Sequence, residues 1–141
     1  MVRKEANPLI LDLDLHAGVP IYRQLMDQVR RQILAGHLAT GDQIESVKNL
    51  SARIKINPMT VSKAYGFLVD EGLLERRRGV GLFVRSMRKD VRRREQDRML
   101  ESAMGRVAAL AVQLRIPEEE ALRLFVEQYR ALDSSEASDQ S

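Results

Sequence analysis

The 141-residue sequence predicts a mainly α-helical protein with one small β-hairpin. Two observations support this fold class. Apolar residues recur every three or four positions in several separate stretches, which is the period of a helix. Two short apolar runs also enclose a basic, glycine-containing loop near residue 79, which is typical of a β-hairpin.

The N-terminal part is predicted to contain a strand followed by a helix. Leucines alternate with other residues over residues 9–15, which is the pattern of a half-buried strand. Pro20 suits the first turn of a helix, and Gly36 is typical of the position just after a helix ends. Apolar residues recur at four-residue intervals between them. The first helix is therefore expected at about residues 20–35.

Two shorter helices are predicted next, separated by a tight turn. Ser46 is placed to cap a helix at residues 47–54. Asn57 followed by Pro58 is a strong start signal for a third helix, which is expected to end near Gly72. Capping alone would explain the polar residues at both helix starts, so they do not by themselves indicate a binding site.

The β-hairpin is predicted at residues 73–85, and two longer helices follow it. The first is expected at about residues 88–114 and the second after the break at Pro117. The first carries an apolar seam of about two heptads, which is too short for an isolated coiled coil, and the second carries an apolar stripe. We expect the two helices to form a C-terminal helical hairpin that dimerises with a second copy. The predicted dimer interface comprises Leu100, Met104, Val107, Ala111, Leu114, Leu122, Phe125 and Val126.

The composition excludes several classes of protein. The chain has no Cys and only His16 and His37, so thiol catalysis, disulfides and Cys- or His-rich metal sites are not expected. No Ser-His-Asp set or glycine-rich phosphate loop is visible, so we expect neither an enzyme nor a cofactor. No apolar run approaches the about 18 residues of a membrane span. The N-terminus lacks the apolar core of a secretory signal, and a cytoplasmic protein is predicted.

The net charge of +3 is unevenly distributed along the chain. Residues 76–94 contain nine basic residues and one acidic residue, whereas residues 95–141 carry a net charge of −5. A basic segment in mid-chain indicates a local anionic partner such as nucleic acid. A solvated face or a flexible basic hinge is the alternative interpretation, and the charge alone favours neither.

The order of helix, helix, turn, helix and two-stranded wing is that of a winged helix-turn-helix domain. We expect this domain at residues 8–86, a dimerisation module at residues 87–132 and a disordered tail at residues 133–141. In such a domain the second helix of the pair enters the major groove of DNA. Polar side chains at a helix N-terminus and a basic wing tip suit contacts with phosphates and bases.

The sequence also resembles one family in particular. The matching segments are PIYRQL at residues 20–25, SVK at 46–48, NPMTVSKAY at 57–65 and RRGVGLFV at 77–84. In this order and spacing, they resemble the DNA-binding domain of GntR-type transcriptional regulators. The short C-terminal part resembles the two-helix module of the YtrA-like subfamily.

This resemblance implies a homodimeric transcriptional regulator, usually a repressor, that binds a pseudo-palindromic operator in double-stranded DNA. Five residues depart from the family pattern, namely Glu45, Lys48, Lys55, Val80 and Leu82, and Lys48 stands where the family usually has an Arg that contacts the operator. Glu45 replaces a common Pro and implies a negative charge near the DNA face, and Lys55 replaces a Gly and implies strain if the turn is left-handed. Helix position and resemblance together predict DNA binding by Ser46, Lys48, Asn57, Thr60, Ser62, Lys63, Arg77, Arg78 and Gly79.

Two other functions fit the same fold. One is a transcriptional activator or an architectural DNA-binding protein without a specific operator. The other is a winged-helix protein-interaction module, although the basic wing argues against it. The sequence identifies no small-molecule effector, and so short a C-terminal module has little room for a buried pocket.

Overall fold

The computed structural model describes residues 8–140, in which five helices and one two-stranded sheet are present. Their order is α1 (Ile21–Leu34), α2 (Val47–Ile54), α3 (Pro58–Asp70), β1 (Leu74–Arg77), β2 (Gly81–Val84), α4 (Lys89–Gln113) and α5 (Glu118–Asp139). The chain divides into two compact units, the first ending at Arg93 and the second beginning at Arg94. The division therefore lies inside α4, beyond the boundary expected after residue 86.

The core of the first unit lies where α1, α2 and α3 meet the sheet. Each helix contributes its apolar stripe, and Tyr65 of α3 is the largest side chain that is fully buried. Burial of one large apolar side chain contributes about 1.5–3 kcal/mol, so this set dominates the stability of the unit. The other large side chains that are fully buried are Leu25, Val29, Ile33, Ile44, Leu50, Val61, Leu68, Leu74 and Val84.

Local capping sets the starts of α2 and α3, as the sequence predicts. Ser46 Oγ accepts a hydrogen bond from the backbone N–H of Asn49 at 3.1 Å. Asn57 Oδ1 accepts one from the N–H of Met59 at 2.9 Å, and Pro58 occupies the first position of α3. These side chains satisfy backbone donors that have no partner inside the helix.

The β-hairpin, called the wing below (residues 74–84), is closed by a tight turn. β1 and β2 pair antiparallel, with Arg77 opposite Gly81. The N–H of Val80 donates to the carbonyl of Arg77 at 3.0 Å, and Gly79 lies between them with φ of 76°. A positive φ at the third position of such a turn favours glycine, because other side chains clash with the backbone there.

A third chain segment, residues 41–44, pairs with the other edge of β2. The N–H of Ile44 donates to the carbonyl of Leu82 at 3.0 Å, and the N–H of Val84 donates to the carbonyl of Asp42 at 2.8 Å. This segment leads directly into the cap of α2 at Ser46. The wing is therefore attached to the start of the helix-turn-helix as well as to its end.

The segment before α1 is extended, but the predicted strand at residues 9–15 is wrong. Leu9 is buried, and Leu11 and Leu13 are half-buried, as the alternation predicts. However, no other strand pairs with this segment within residues 8–140. The alternation of leucines indicates only which side of an extended chain faces the core. It does not identify the groups that form hydrogen bonds with the backbone.

Glutamine side chains of α1 take the place of a neighbouring strand. Gln24 hydrogen-bonds the backbone of Asp14 in both directions, and Gln28 does the same at Asp12. Gln32 Nε2 donates to the carbonyl of residue 10 at 2.7 Å. Four residues of helix rise about 6 Å, and two residues of extended chain span about 6.6 Å. The helix and the extended segment thus advance by nearly the same distance, so three successive glutamines can each reach a backbone group.

The predicted dimer-interface residues on α4 and α5 are not buried. The sequence predicts that α5 folds back on α4 and covers part of each stripe, but neither helix has a buried residue. The expected burial within one chain is therefore wrong. Leu110, which borders the predicted stripe, and Val112, which lies on another side of α4, are also exposed, so the apolar surface of α4 is wider than the predicted stripe. Of the eight residues predicted at the dimer interface, Ala111 is half-buried. The other seven are exposed, namely Leu100, Met104, Val107, Leu114, Leu122, Phe125 and Val126.

The C-terminal segment is helical where the sequence predicts a disordered tail. α5 continues to Asp139, and residue 141 lies outside the described residues. Ser134 Oγ donates to the carbonyl of Arg130 at 2.7 Å, and Ser138 Oγ donates to the carbonyl of Ser134 at 3.0 Å. These serines bond back along the helix, and extending an existing helix is much less costly than nucleating one.

No helix within residues 8–140 is both long enough and apolar enough to cross a bilayer.

Candidate nucleic-acid interface

The first turns of α3 present polar side chains at the surface. Ser62 and Lys63 are exposed, and Thr60 is half-buried. Thr60 and Lys63 are one helical step apart, so they lie on the same side of α3. Asn57 is exposed as well, although its amide oxygen already accepts the bond that caps the helix. The backbone N–H groups of this first turn are already bonded to Asn57, so the exposed polar side chains and the helix dipole are what suit this end of α3 to an anionic partner.

The two DNA-binding residues predicted at the start of α2 differ in how far their polar groups are engaged within the unit. Ser46 is exposed, but its hydroxyl is engaged in the cap. Lys48 is exposed, and its ammonium makes no hydrogen bond or ion pair with other residues in the range 8–140. Lys48 is therefore available for a ligand without the loss of an internal contact.

The two wing arginines that are predicted to bind DNA differ in their surroundings. Arg77 donates from Nε and Nη2 to Glu75 Oε1 at 3.1 and 2.9 Å. Its guanidinium carbon also lies 4.0 Å from the centre of the Phe83 ring. Arg78 sits in the turn, is exposed and has no ion pair among the described residues. Arg78 is thus the free cation of the wing tip, while Arg77 is held against the sheet.

Gly79 lies beside Arg78 and leaves open space at the tip. A Cβ atom built there would meet no other atom within 4 Å. The positive φ of this residue, rather than crowding, is what favours glycine. The exposed backbone at the tip is therefore accessible to a close-fitting surface such as a DNA groove.

Gln43 holds the wing tip in place, and sequence reasoning missed it. Its Nε2 donates to the carbonyl of Val80 at 3.0 Å. A Cβ atom at Gly81 would lie 2.7 Å from the same Nε2 and would push the Gln43 amide aside, and the φ of 143° at Gly81 also favours glycine. The two partners are 37 positions apart in sequence, and no local pattern connects them.

An aromatic and basic cluster on α1 and α3 was also missed. Lys63 Nζ lies 3.9 Å from the centre of the Tyr22 ring. Tyr22 in turn stacks on Phe67, with ring centres 5.8 Å apart and an interplanar angle of 27°. We name Tyr22, Lys63 and Phe67 the aromatic–lysine cluster. The apolar periodicity of α1 indicates that Tyr22 lies near the core, but it does not reveal this contact.

The expectation that Glu45 presents a negative charge to the presumed DNA face is wrong. The residue is only 7% exposed. Arg53 donates to both of its carboxylate oxygens, at 2.9 and 2.8 Å, and the N–H of Leu9 donates to Oε2 at 3.3 Å. The Arg53 hydrogen bonds lower the pKa of Glu45 against the opposing effect of burial. The carboxylate therefore stays charged and is neutralised inside the unit.

The backbone at Glu45 is fixed from the core side. The Tyr65 hydroxyl donates to the carbonyl of Glu45 at 2.8 Å. Burial is the main cause that raises the pKa of Tyr65, so the hydroxyl keeps its proton and remains a donor. Since Glu45 directly precedes the α2 cap, this bond positions the start of α2.

Lys55 adopts the left-handed backbone whose strain the sequence implies. Its φ is 55° and its ψ is 45°. The N–H of Ile56 then reaches back to the carbonyl of Ser51 at 3.2 Å, which closes the end of α2. The turn keeps its shape without glycine, at a cost of about 1–2 kcal/mol.

The sequence of the first unit matches a known family. The family described as "Bacterial regulatory proteins, gntR family" matches residues 21–84. This range begins with α1 and ends with β2, so it includes the helix-turn-helix and the whole wing.

Among curated proteins, the chain is similar to the HTH-type transcriptional repressor YtrA of Bacillus subtilis (strain 168). The two are 39% identical over 75 residues, which is 53% of this chain and 58% of that protein. The chain thus spans less than two thirds of this relative.

Among solved structures, the chain is similar to YtrA from Sulfolobus acidocaldarius, a GntR-family transcription factor. The identity is 33%, the TM-score is 0.56, and the match covers 72% of this chain and 99% of that one. A transcriptional antiterminator from Listeria monocytogenes EGD-e shares the fold with a TM-score of 0.71 at 24% identity, covering 87% of this chain and 92% of that one. From the family match over α1 to β2 and the near-complete coverage of a 33% identical relative, the chain belongs to the GntR family of bacterial regulatory proteins.

Proposed function

We propose that this protein is a sequence-specific transcriptional repressor that binds a pseudo-palindromic operator as a homodimer in the cytoplasm. The observation that carries the proposal is the GntR-type domain, which is complete from α1 to β2 and has exposed polar and basic side chains on α2, α3 and the wing. The repressor role is taken from the similar B. subtilis protein, which is named as a repressor.

In this proposal α3 enters the major groove with its N-terminal turns. Thr60, Ser62 and Lys63 then face base edges or phosphates, and the helix N-terminus favours a phosphate. Lys48 on α2 contacts the same stretch of duplex. These four side chains lie on the first turns of two capped helices, so their backbone positions are well defined before DNA binds.

The wing provides a second contact in the minor groove. Arg78 and the backbone of Gly79 are exposed at its tip, and an arginine is attracted to the strong negative potential of a narrow minor groove. Arg77 and Glu75 lie behind the tip and stiffen the strand on which Arg78 is presented. Wing and helix contacts together account for both affinity and sequence preference.

Dimerisation is proposed to occur through α4 and α5. Large apolar side chains remain exposed on both helices, including Leu100, Val107, Phe125 and Tyr129. Large contiguous apolar surface is uncommon on monomers and marks sites of association. Two-fold symmetry then places one recognition helix on each half of a palindromic site.

The proposal is tested by selecting DNA from a random duplex pool with the wild-type chain. The expected result is an enriched inverted repeat whose affinity falls with increasing salt in proportion to the phosphates contacted. A protein-interaction module would enrich no sequence, and an architectural DNA-binding protein would bind all duplexes about equally. Either result would contradict the proposal.

A further inference from the structure

We propose that Tyr22 is a positioning residue for DNA binding, which acts by holding the Lys63 side chain against its ring at the exposed surface of α3. This inference rests on the proposed function and adds to it a residue of α1. Tyr22 does not belong to the DNA-binding set that the sequence predicts, and it has no polar contact to α3 among the described residues.

The contact between the two side chains is close and supported from one side. Lys63 Nζ lies 3.9 Å from the centre of the Tyr22 ring, well within the about 6 Å at which cations are attracted to aromatic faces. Phe67, one helical turn beyond Lys63, stacks on Tyr22. The ring is therefore held at a fixed place along α3.

The two helices that carry these residues form a rigid pair. α1 and α3 pack directly against each other, and both bury their inner faces completely. At the opposite end of the pair, Arg30 of α1 makes an ion pair with Glu71 at 2.6 Å. The helix packing therefore fixes the backbone of Tyr22 relative to the backbone of Lys63.

A ring contact orients the lysine without neutralising it. An ammonium group has three N–H donors, and the contact with the ring face leaves donors free for a phosphate or a base edge. A carboxylate partner would instead cancel the charge, as Glu75 does for Arg77 on the wing. Within residues 8–140 no acidic side chain forms an ion pair with Lys63.

Holding the side chain in advance lowers the cost of binding. A free lysine loses most of its rotamer freedom when DNA immobilises it, whereas a lysine already placed on a ring loses less. Restraint of one such side chain corresponds to about a two- to tenfold change in affinity. This range sets the size of the effect to be measured.

The test uses a double-mutant cycle on a duplex that the wild-type chain has selected from a random pool. Tyr22→Phe keeps the ring and Tyr22→Leu removes it, so comparing these two variants isolates the ring from the hydroxyl. We expect Tyr22→Leu to bind about two- to tenfold more weakly than Tyr22→Phe. When Lys63→Met is also present, the two variants should bind equally.

A second cycle provides a matched control. Lys55 is an exposed lysine of the same unit with no aromatic contact, so Lys55→Met should leave the difference between Tyr22→Phe and Tyr22→Leu unchanged. Thermal unfolding midpoints of all variants show whether the loss of the ring acts through stability. The expected pattern is coupling to Lys63 and no coupling to Lys55.

Each contrary outcome has a distinct meaning. Tyr22→Leu binding as tightly as Tyr22→Phe, or more tightly, would overturn the inference, because the ring would then be neutral or would hold Lys63 away from DNA. A difference that persists with Lys63→Met would overturn it as well, since the ring would act independently of the lysine. If the wild-type chain selects a sequence, these outcomes leave the proposed function intact. If it enriches no sequence, both proposals fail.

Discussion

The side-chain amide of Gln28 hydrogen-bonds both the N–H and the carbonyl of Asp12. Gln28 Oε1 accepts from the N–H of Asp12 at 2.8 Å, and Gln28 Nε2 donates to the carbonyl of Asp12 at 2.6 Å. An amide side chain has the same donor and acceptor pair as a peptide group, so it replaces the neighbouring strand that this extended segment lacks.

Replacing Gln28 should therefore loosen the N-terminal segment. Gln28→Ala removes two hydrogen bonds, each contributing about 0.5–1.5 kcal/mol, and the freed groups of Asp12 can partly regain water. We expect the free energy of unfolding to fall by about 1–2 kcal/mol in urea titration. Gln128→Ala, at an exposed position of α5, is the matched control and should change it little. Equal effects at the two positions would contradict the pairing.

The Glu45–Arg53 ion pair should make stability depend on pH. The folded-state pKa of Glu45 is lowered, so the stabilisation is complete above the unfolded-state value of about 4.3 and is lost as the pH falls through the folded-state value. Arg53 is 40% exposed, and solvent screening limits the contribution to about 1 kcal/mol.

Glu45→Gln tests this dependence by acid titration of unfolding. At pH 7 the variant should be less stable than the wild type by about 1 kcal/mol. The difference should shrink on acidification and vanish once Glu45 is protonated in both states. A difference that stays constant down to low pH would mean that packing, rather than charge, accounts for the effect.

The two wing arginines should differ in their effect on DNA affinity. Arg78→Gln removes a free cation and should reduce the salt slope of binding by about one. Arg77→Gln should have a smaller effect, because Glu75 already compensates that charge. Glu75→Gln should strengthen non-specific binding by releasing Arg77. Fluorescence anisotropy over a range of salt concentrations measures all three, and an equal loss for both arginines would show that Glu75 does not restrain Arg77.

A charge placed in the proposed dimer interface should produce monomers. Val107→Asp buries an unpaired carboxylate between protomers, at a cost of about 3 kcal/mol or more. Val112→Asp makes the same change on another side of α4, where the side chain is 75% exposed, and should leave the dimer intact. Light scattering over a concentration series distinguishes the two. Dissociation by both variants, or by neither, would argue against this interface.

Sequence patterns predicted the parts of the fold that depend on neighbouring residues. Ser46, Asn57 and Pro58 define helix starts within three positions of the groups they cap. The turn at Gly79 is likewise local, because its hydrogen bond spans only Arg77 to Val80. In each case the residue type and the group that it satisfies lie within one turn of chain.

Longer-range pairings were not predictable in the same way. Asp12 and Gln28 are 16 positions apart, and Gln43 and Val80 are 37 apart, so which side chain satisfies which backbone group depends on the folded packing. The inward direction of Glu45 depends on Arg53 across α2. The sequence does not reveal that Arg53 pairs with Glu45, and without this partner an acidic residue at position 45 is expected at the surface.

The pairing of residues 41–44 with β2 also has a consequence for how the domain folds. β2 lies between β1 and a segment about 40 positions earlier in the chain, and an isolated two-stranded hairpin is only marginally stable in water. We therefore expect the wing to become stable only after a large loop containing α2 and α3 has closed. The surface that α2 and α3 present and the tip of the wing are then expected to form together, so a partly folded chain would not offer one without the other.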